Sequence, residues 1–317
     1  MLRIAFAGTP QFALPALDAL ATSGHRLVGV LTQPDRPAGR GRALQASAVK
    51  QRALALGLPV AQPERLASEE QRASLREWAP ELLVVVAYGL ILPPPVLALP
   101  RLGCLNIHAS LLPRWRGAAP IQRALLAGDR LTGISIMQLD AGLDTGPLFA
   151  QQSLAPGPDM NSAELHDALA QLGAQQLLSV IAALEAGNAR AAAQSAEGVS
   201  YAAKLEKREA LIDWRQPAER IACQVRACNP WPVAETLLAG AQLRVWRAGA
   251  LAPMSAAADA SAPAPAPGTV LGLRAARLHV ACGSGVLAID ELQSAGRRRL
   301  AAAEFAHGRA LAGMRFG

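Results

Sequence analysis

Aromatic side chains make up only 4% of this 317-residue chain, although 51% of it is hydrophobic. Its cores must therefore be assembled mainly from Ala, Leu and Val, small side chains that bury area by number rather than by size. Cysteine is also scarce. Cys104, Cys223, Cys228 and Cys282 form no CxxC pair, which argues against a zinc site and a disulfide framework and fits a reducing, cytoplasmic setting. No stretch of about 18 apolar residues free of charge occurs, so no membrane span is expected. The run from Met1 to Gly8 lacks the basic start, long apolar segment and cleavage site of a secretory signal. A GxGxxG motif is missing too: Phe6-Ala7-Gly8-Thr9-Pro10 offers one glycine where a dinucleotide fold wants three. A tight turn and a ligand contact are equally good readings of that segment.

Acids are the minority charge. There are 31 Lys+Arg against 24 Asp+Glu, a net of +7. The excess is uneven: residues 1–205 hold 17 basic and 15 acidic side chains, residues 206–317 hold 14 and 9. The C-terminal third is thus the more basic part, which favours attraction towards phosphate without naming a partner.

The length suggests two domains. Sequence patterning places a first domain over residues 1–188, a linker over 189–206 and a second domain over 207–317, with the polar stretch Gly187–Gly198 reading as a connector. In the first, short Val/Ile/Leu runs at Leu2–Ala7, Leu27–Thr32, Leu82–Val86, Cys104–His108 and Thr132–Gln138 alternate with helical patterns at Phe12–Ser23, Ser47–Leu56, Glu69–Trp78, Ile121–Ala127 and Ser162–Leu184. That order predicts an α/β fold with a mostly parallel sheet covered on both faces and a site beyond the carboxyl ends of its strands. In the second, a helix at Ala218–Cys228, stopped by Asn229-Pro230, precedes short runs at Thr236–Leu238, Leu243–Ala248, Thr269–Leu273, Leu278–Ala281 and Val286–Leu292. Short strands separated by Gly and Pro suggest a small β-barrel. Pro253–Pro267 is almost entirely Ala, Pro and Ser and reads as a flexible insertion without chemistry.

The chemistry concentrates on one strand. Asn106 and His108 are two residues apart, so both side chains leave the strand on the same face. Two polar residues on one face at the end of an apolar strand are poorly explained by core packing. With Asp144 about one strand later, they supply an amide donor, an imidazole and a carboxylate, a trio suited to acyl transfer to an amine without a metal. The amide can stabilise an oxyanion. His108 can take or relay a proton. Asp144 can orient the imidazole, stabilise its charged form or help deprotonate an ammonium through water.

Around the trio lie weaker signals. Arg36, Arg40 and Arg42 stand on a Pro/Gly-rich loop with one acid, Asp35, suited to phosphate contact or to plain solvation. Tyr88-Gly89-Leu90-Ile91-Leu92 could wall an apolar slot for a flat ring, with core packing the plainer reading. Arg114-Trp115-Arg116 puts cations on both sides of an indole, a pattern that can serve a nucleic-acid end or a structured loop. In the second domain Trp231 is expected to pack at the domain boundary, and Arg297-Arg298-Arg299 reads as a solvated turn or a phosphate footprint.

Taken together, Thr32–Gly41, Val86–Pro93, Asn106–Gln122, Met137–Gly146 and Asn229-Pro230-Trp231-Pro232 resemble the methionyl-tRNA formyltransferase family along nearly the whole chain. The Asn-x-His and Ser-Leu-Leu-Pro core is shared among folate-dependent formyltransferases. The arginine loop, the Arg114–Pro120 run and the Asn-Pro-Trp-Pro segment narrow the match. The resemblance implies a Rossmann-like catalytic domain followed by an OB-fold-like barrel. It implies 10-formyltetrahydrofolate as donor and initiator methionyl-tRNA as acceptor. No metal is expected, and the enzyme is expected to act as a monomer. It assigns catalysis to Asn106, His108 and Asp144. It assigns the folate to Ser110, Leu111, Leu112 and Pro113, with Tyr88–Leu92 and Asp140 lining the pterin pocket. It sets Arg36, Arg40, Arg42, Arg114 and Arg116 against the tRNA. The insertion at Met254–Pro267 departs from the family pattern and bears on strand register in the barrel. Competing readings are a formyltransferase acting on a sugar-nucleotide amine, a formyltetrahydrofolate hydrolase, and a non-catalytic tRNA-binding protein. The arginine loop and basic C-terminal domain argue against the first, and the intact trio argues against the last.

Overall fold

The computed structural model describes residues 1–38, 43–251 and 265–317. They form two compact units: Met1–Pro120, Leu131–Ala155 and His166–Ala202 in the first, and Ile121–Arg130, Pro156–Leu165 and Ala203–Gly317 in the second. The first therefore includes residues 189–202, whose polarity reads as a connector.

In chain order the strands of the first unit are β1 (Arg3–Gly8), β2 (Arg26–Leu31), β3 (Arg36–Ala38), β4 (Ala43–Gln45), β5 (Val60–Ala61), β6 (Leu82–Val86), β7 (Cys104–His108), β8 (Arg116–Gly117), β9 (Thr132–Gln138), β10 (Leu148–Leu154) and β11 (Tyr201–Ala202). Its helices are α1 (Leu14–Ala21), α2 (Ala48–Ala55), α3 (Ala73–Trp78) and α4 (Pro94–Leu97), with α5 (Pro120–Ala127) and α6 (Ser162–Glu185) running from one unit's residues into the other's. Seven strands make the main sheet, in the order β10-β9-β7-β6-β1-β2-β5. It is parallel from β7 to β5, with β9 and β10 added antiparallel at one edge. β6 shows why the centre is apolar: all five of its residues are buried, as a strand covered on both faces demands. Helix α2 is capped by Ser47, whose hydroxyl accepts from the Lys50 N–H at 3.0 Å.

β10 was not legible in the sequence. Its residues Leu148-Phe149-Ala150-Gln151-Gln152-Ser153-Leu154 are exposed or half-buried throughout, so the strand has no apolar alternation and exists through its pairing with β9. The two-residue pair β8–β11 and the hairpin β3–β4 within the arginine loop are equally local to the fold.

The second unit carries β12 (Ala234–Leu238), β13 (Ala241–Ala250), β14 (Val270–Arg274), β15 (Arg277–Ala281), β16 (Val286–Ser294) and β17 (Leu300–Ala301), with α7 (Ala218–Cys228) and α8 (Ala302–Ala306). The strands form an antiparallel sheet in the order β12-β13-β16-β15-β14, with β17 beside β16. No closed barrel forms among the described residues. Instead the C-terminal residues bridge to both edges: Phe316 pairs with Leu238 at the end of β12, and Arg315 pairs with Thr269 beside β14. Trp214, Ile221, Val225, Val245, Ile289, Leu292, Phe305 and Phe316 share one core. The indole N–H of Trp214 is satisfied there by Thr236 Oγ1 at 2.9 Å. Trp231 is 50% exposed and so does not pack into that core. Nearly all of the Ala/Pro insertion lies outside the described residues.

Candidate active site

β7 stands where the sheet changes sense, parallel to β6 on one side and antiparallel to β9 on the other. Its carboxyl end carries the sequence-predicted pair. Asn106 is half-buried opposite Met137, and His108 is 5% exposed opposite Ser135. The turn that follows is held by an exhausted hydroxyl. Ser135 Oγ donates to Ser110 O at 2.7 Å and accepts from the Leu112 N–H at 3.0 Å and from Gln151 Nε2 at 2.9 Å. The Gln151 amide also donates to Leu112 O at 2.8 Å. Ser135 and Gln151 thus position the Ser110–Pro113 turn, in which the Leu112–Pro113 peptide is cis. Neither was a sequence candidate, because one looks like a strand interior and the other like a loop.

Ser110 fixes the state of the imidazole. It is fully buried, and its single hydroxyl proton goes to Arg114 O at 2.6 Å. Its oxygen must therefore accept from His108 Nδ1, 3.0 Å away, because a hydroxyl has one donor and two lone pairs. A neutral His108 is then the Nδ1–H tautomer, and its lone pair sits on Nε2. That atom is buried and lies 3.3 Å from Asp144 Oδ2, close enough for charge pairing though not aligned as a hydrogen bond.

Asp144 is presented by an unusual loop. Its φ of 53° is left-handed, which disfavours a non-glycine residue by roughly 1–2 kcal/mol. The surrounding contacts impose it. Asp144 Oδ2 accepts from the Gly117 N–H at 2.7 Å. Gly117 itself has φ 117°, a conformation suited to glycine. At Gly146, a Cβ would lie 1.8 Å from Gln138 O, so the loop can close on β9 only with glycine there. Burial raises the Asp144 pKa, but His108, the Gly117 N–H and the Arg116 charge outweigh it and hold the carboxyl below its ordinary value.

The remaining predicted residues divide sharply. The loop after β6 is tied to the loops after β1 and β2 by Thr9 Oγ1 and Gln33 Nε2, which donate to Tyr88 O at 2.9 and 3.3 Å. In it the Tyr88 ring is turned inward, 1% exposed, with burial pushing its hydroxyl pKa up, and Leu92 is 8% exposed. Both side chains belong to the core. Gly89 and Ile91 are exposed and Leu90 is half-buried. Of the turn residues, Leu112 is buried at 3%, whereas Leu111 and Pro113 are half-buried. Asp140 is exposed and accepts from the Gly142 N–H and Thr145 Oγ1, organising the loop that carries Asp144.

Arg36 is exposed and donates to Gln33 Oε1 at 2.8 Å. Arg114 is exposed, its guanidinium 4.3 Å from the Trp115 ring centre. Arg116 is half-buried and donates to Gln194 Oε1 through two N–H groups at 2.7 and 3.2 Å. Arg40 and Arg42 lie outside the described residues. In the second unit, Arg298 pairs with Glu304, and the Arg299 guanidinium stacks 3.1 Å from the Trp246 ring centre. Among the described residues no group of three His, Cys, Asp or Glu side chains is arranged to hold a metal ion.

Comparison with known proteins gives a consistent picture. Residues 2–181 match the model of the formyl transferase family, and residues 204–310 match that of the formyl transferase C-terminal domain. The chain is 52% identical over 316 residues to the methionyl-tRNA formyltransferase of Methylococcus capsulatus, and 56% identical over 317 residues to that of Thiobacillus denitrificans. Both alignments cover 100% of each protein. Among solved structures, a sugar 3N-formyl transferase, WlaRD, superposes with a TM-score of 0.66 at 14% identity, covering 94% of this chain and 99% of that one. HypX from Aquifex aeolicus, solved with tetrahydrofolic acid, gives 0.60 at 16% identity over 96% of this chain and 47% of that one. At such identities these two speak for the fold.

Proposed function

The chain belongs to the formyl transferase family, and we propose from that premise how its residues divide the work of the reaction it catalyses. That reaction is transfer of a formyl group to the amino group of methionyl-tRNA. The donor is of folate type, and we assign it as 10-formyltetrahydrofolate, with the initiator tRNA as acceptor.

The reaction forms a bond between the amine nitrogen and the formyl carbon and breaks the bond from that carbon to the donor nitrogen. One proton must leave the attacking amine and one must reach the departing nitrogen. An α-amino group has a pKa of roughly 7.7–8.0, and esterification of the neighbouring carboxyl lowers it, so much of it is neutral near pH 7 and its activation is a small task. The charges to be managed are an oxyanion and an ammonium. The Asn106 amide, on the same strand face as His108, donates to the oxyanion, a contact typically worth about 3 kcal/mol. His108 Nε2 accepts the ammonium proton and can return it to the departing nitrogen. Asp144 stays ionised, because its carboxyl is held below the ordinary range, and stabilises the imidazolium that forms.

The observation that carries this division is the commitment of Ser110: its only proton goes to Arg114 O, which leaves the basic nitrogen of His108 facing Asp144. The turn Ser110–Pro113, with Leu90, Ile91 and the backbone at Gly89, is the wall assigned to the folate. Arg36 and Arg114 are assigned to the tRNA acceptor end, and residues 207–317 to its backbone, while residues 1–188 hold the chemistry. No helix among the described residues is long and apolar enough to cross a membrane. We assign the enzyme to the cytoplasm, acting as a monomer.

The test replaces His108 with Ala. Formylation of methionyl-tRNA is expected to fall by about 10²- to 10⁴-fold with tRNA affinity unchanged. Wild-type turnover in that variant overturns the assignment. Rapid formylation of the initiator species, with little on elongator methionyl-tRNA, supports the acceptor assignment, and equal rates on both would remove it.

A further inference from the structure

Gln194 lies in the segment whose polarity suggests a connector, yet in the first unit it is built into the support of Asp144. Its side-chain amide donates to Asp144 O and to Gly146 O, both at 2.8 Å. Its carbonyl oxygen accepts from Arg116 NH2 at 2.7 Å and from Arg116 Nε at 3.2 Å. One half-buried side chain therefore clasps the backbone on both sides of Thr145 and joins it to Arg116. The residue after Arg116, Gly117, donates its N–H to the Asp144 carboxylate. The clasp has a fixed base, because Ala192 and Leu148 exchange both backbone hydrogen bonds, at 2.7 and 2.9 Å. All four hydrogen-bonding positions of the amide are used, which is the full capacity of a glutamine.

We propose that Gln194 is a positioning residue for the catalytic carboxylate. It holds the left-handed backbone at Asp144, φ 53°, against its tendency to relax, and it keeps Arg116 and Gly117 in register with that loop. Relaxation of the loop would carry Asp144 away from His108 Nε2, now 3.3 Å from Oδ2. Gln194 touches no reacting atom and acts through Asp144. The proposal rests on the reading of Asp144 as the partner of the imidazolium.

The test combines Gln194→Ala and Gln194→Glu with Asp144→Asn, using full-length enzyme and single-turnover formylation of methionyl-tRNA. Gln194→Glu keeps an oxygen for Arg116 and loses both donors to the backbone carbonyls. A misplacement near 1 Å costs about 100-fold, so both Gln194 variants are expected to lose 10- to 100-fold in kcat with KM for donor and tRNA within about twofold of wild type. The rate–pH profile of Gln194→Ala is expected to shift in the direction of the Asp144→Asn profile. Adding Gln194→Ala to Asp144→Asn is expected to cost less than threefold more, because the residue it positions is gone. Wild-type kcat in both Gln194 variants overturns the proposal. So does an equal loss in the two backgrounds, or a Gln194→Ala profile unchanged from wild type, since these mark a merely structural residue. Full activity of Asp144→Asn by itself would instead remove the premise about Asp144.

Discussion

Replacing Ser110 with Ala isolates the proton bookkeeping of the site from its shape. The hydroxyl is fully buried and, among the described residues, is the group that holds a proton on His108 Nδ1. Without it, the neutral imidazole is free to move its proton to Nε2, and a small turn of the released ring lets the Asp144 carboxylate, 3.3 Å away, accept it. A hydrogen bond to a charged group is worth about 1.5–3 kcal/mol. At about 1.36 kcal/mol per decade, the tautomer with a basic Nε2 becomes roughly 10- to 150-fold rarer. Since only that tautomer can accept the ammonium proton, kcat should fall by the same factor, with little change in tRNA affinity. The hydrogen bond from Ser110 to Arg114 O is lost at the same time, and a hydrogen bond contributes about 0.5–1.5 kcal/mol, so the protein should also be measurably less stable in urea. Steady-state formylation gives the rate. Nitrogen NMR of labelled histidine reads the tautomer directly, with the proton on Nδ1 in the wild type and on Nε2 in the variant. Unchanged kcat together with the proton on Nε2 would refute the reasoning, because the group cast as proton acceptor would then be dispensable.

Gly146→Ala should be far more damaging than a surface glycine change. Its Cβ would meet Gln138 O at 1.8 Å, and the displaced loop should cost about 100-fold in kcat and about 1–3 kcal/mol. Gly157→Ala, whose nearest neighbour would be 3.9 Å away, serves as the tolerated control, and parity between the two in rate assays counts against the account of the loop. The depressed Asp144 carboxyl has a definite pH signature. Its stabilising contribution is full above the ordinary carboxylate range and is lost as pH falls through that range towards its lower folded value. The gap in urea midpoint between wild type and Asp144→Asn should therefore shrink as pH drops from 6 to 3, and a constant gap would contradict the shift. Cys104, Cys228 and Cys282 are buried, and burial raises the first two thiols to about 12 and the third to about 11. Titration of the native protein with a thiol reagent should modify Cys223 alone at a useful rate, the other three reacting after unfolding. Fast labelling of Cys104 would show its burial to be wrong.

The trio and the sheet beneath it were legible because both rest on short-range rules. Leu82–Val86, Cys104–His108 and Thr132–Gln138 coincide with β6, β7 and β9 residue for residue, since β-branched, apolar runs suit strands covered on both faces. The two-residue period placed Asn106 and His108 on one face without reference to any other part of the chain. The orientation of Tyr88 was not legible. Its neighbours Ala87 and Gly89 both take positive φ, and that twist, absent from any propensity, turns the ring into the core. The engagement of Arg116 was not legible for a similar reason: its partner, Gln194, lies 78 residues further on.

Composition and periodicity thus determined the class of fold and marked Asn106 and His108, at the carboxyl end of one strand, as candidates, because each follows from interactions among residues close in sequence. Only the tertiary structure decided which nitrogen of His108 is basic, what holds Asp144 in a left-handed conformation and which of the surrounding arginines remain exposed. Those properties depend on how single donors are shared among groups 27, 50 and 78 residues apart. A hydroxyl or an amide has a fixed number of hydrogen bonds to give, and only the folded chain determines which neighbours receive them.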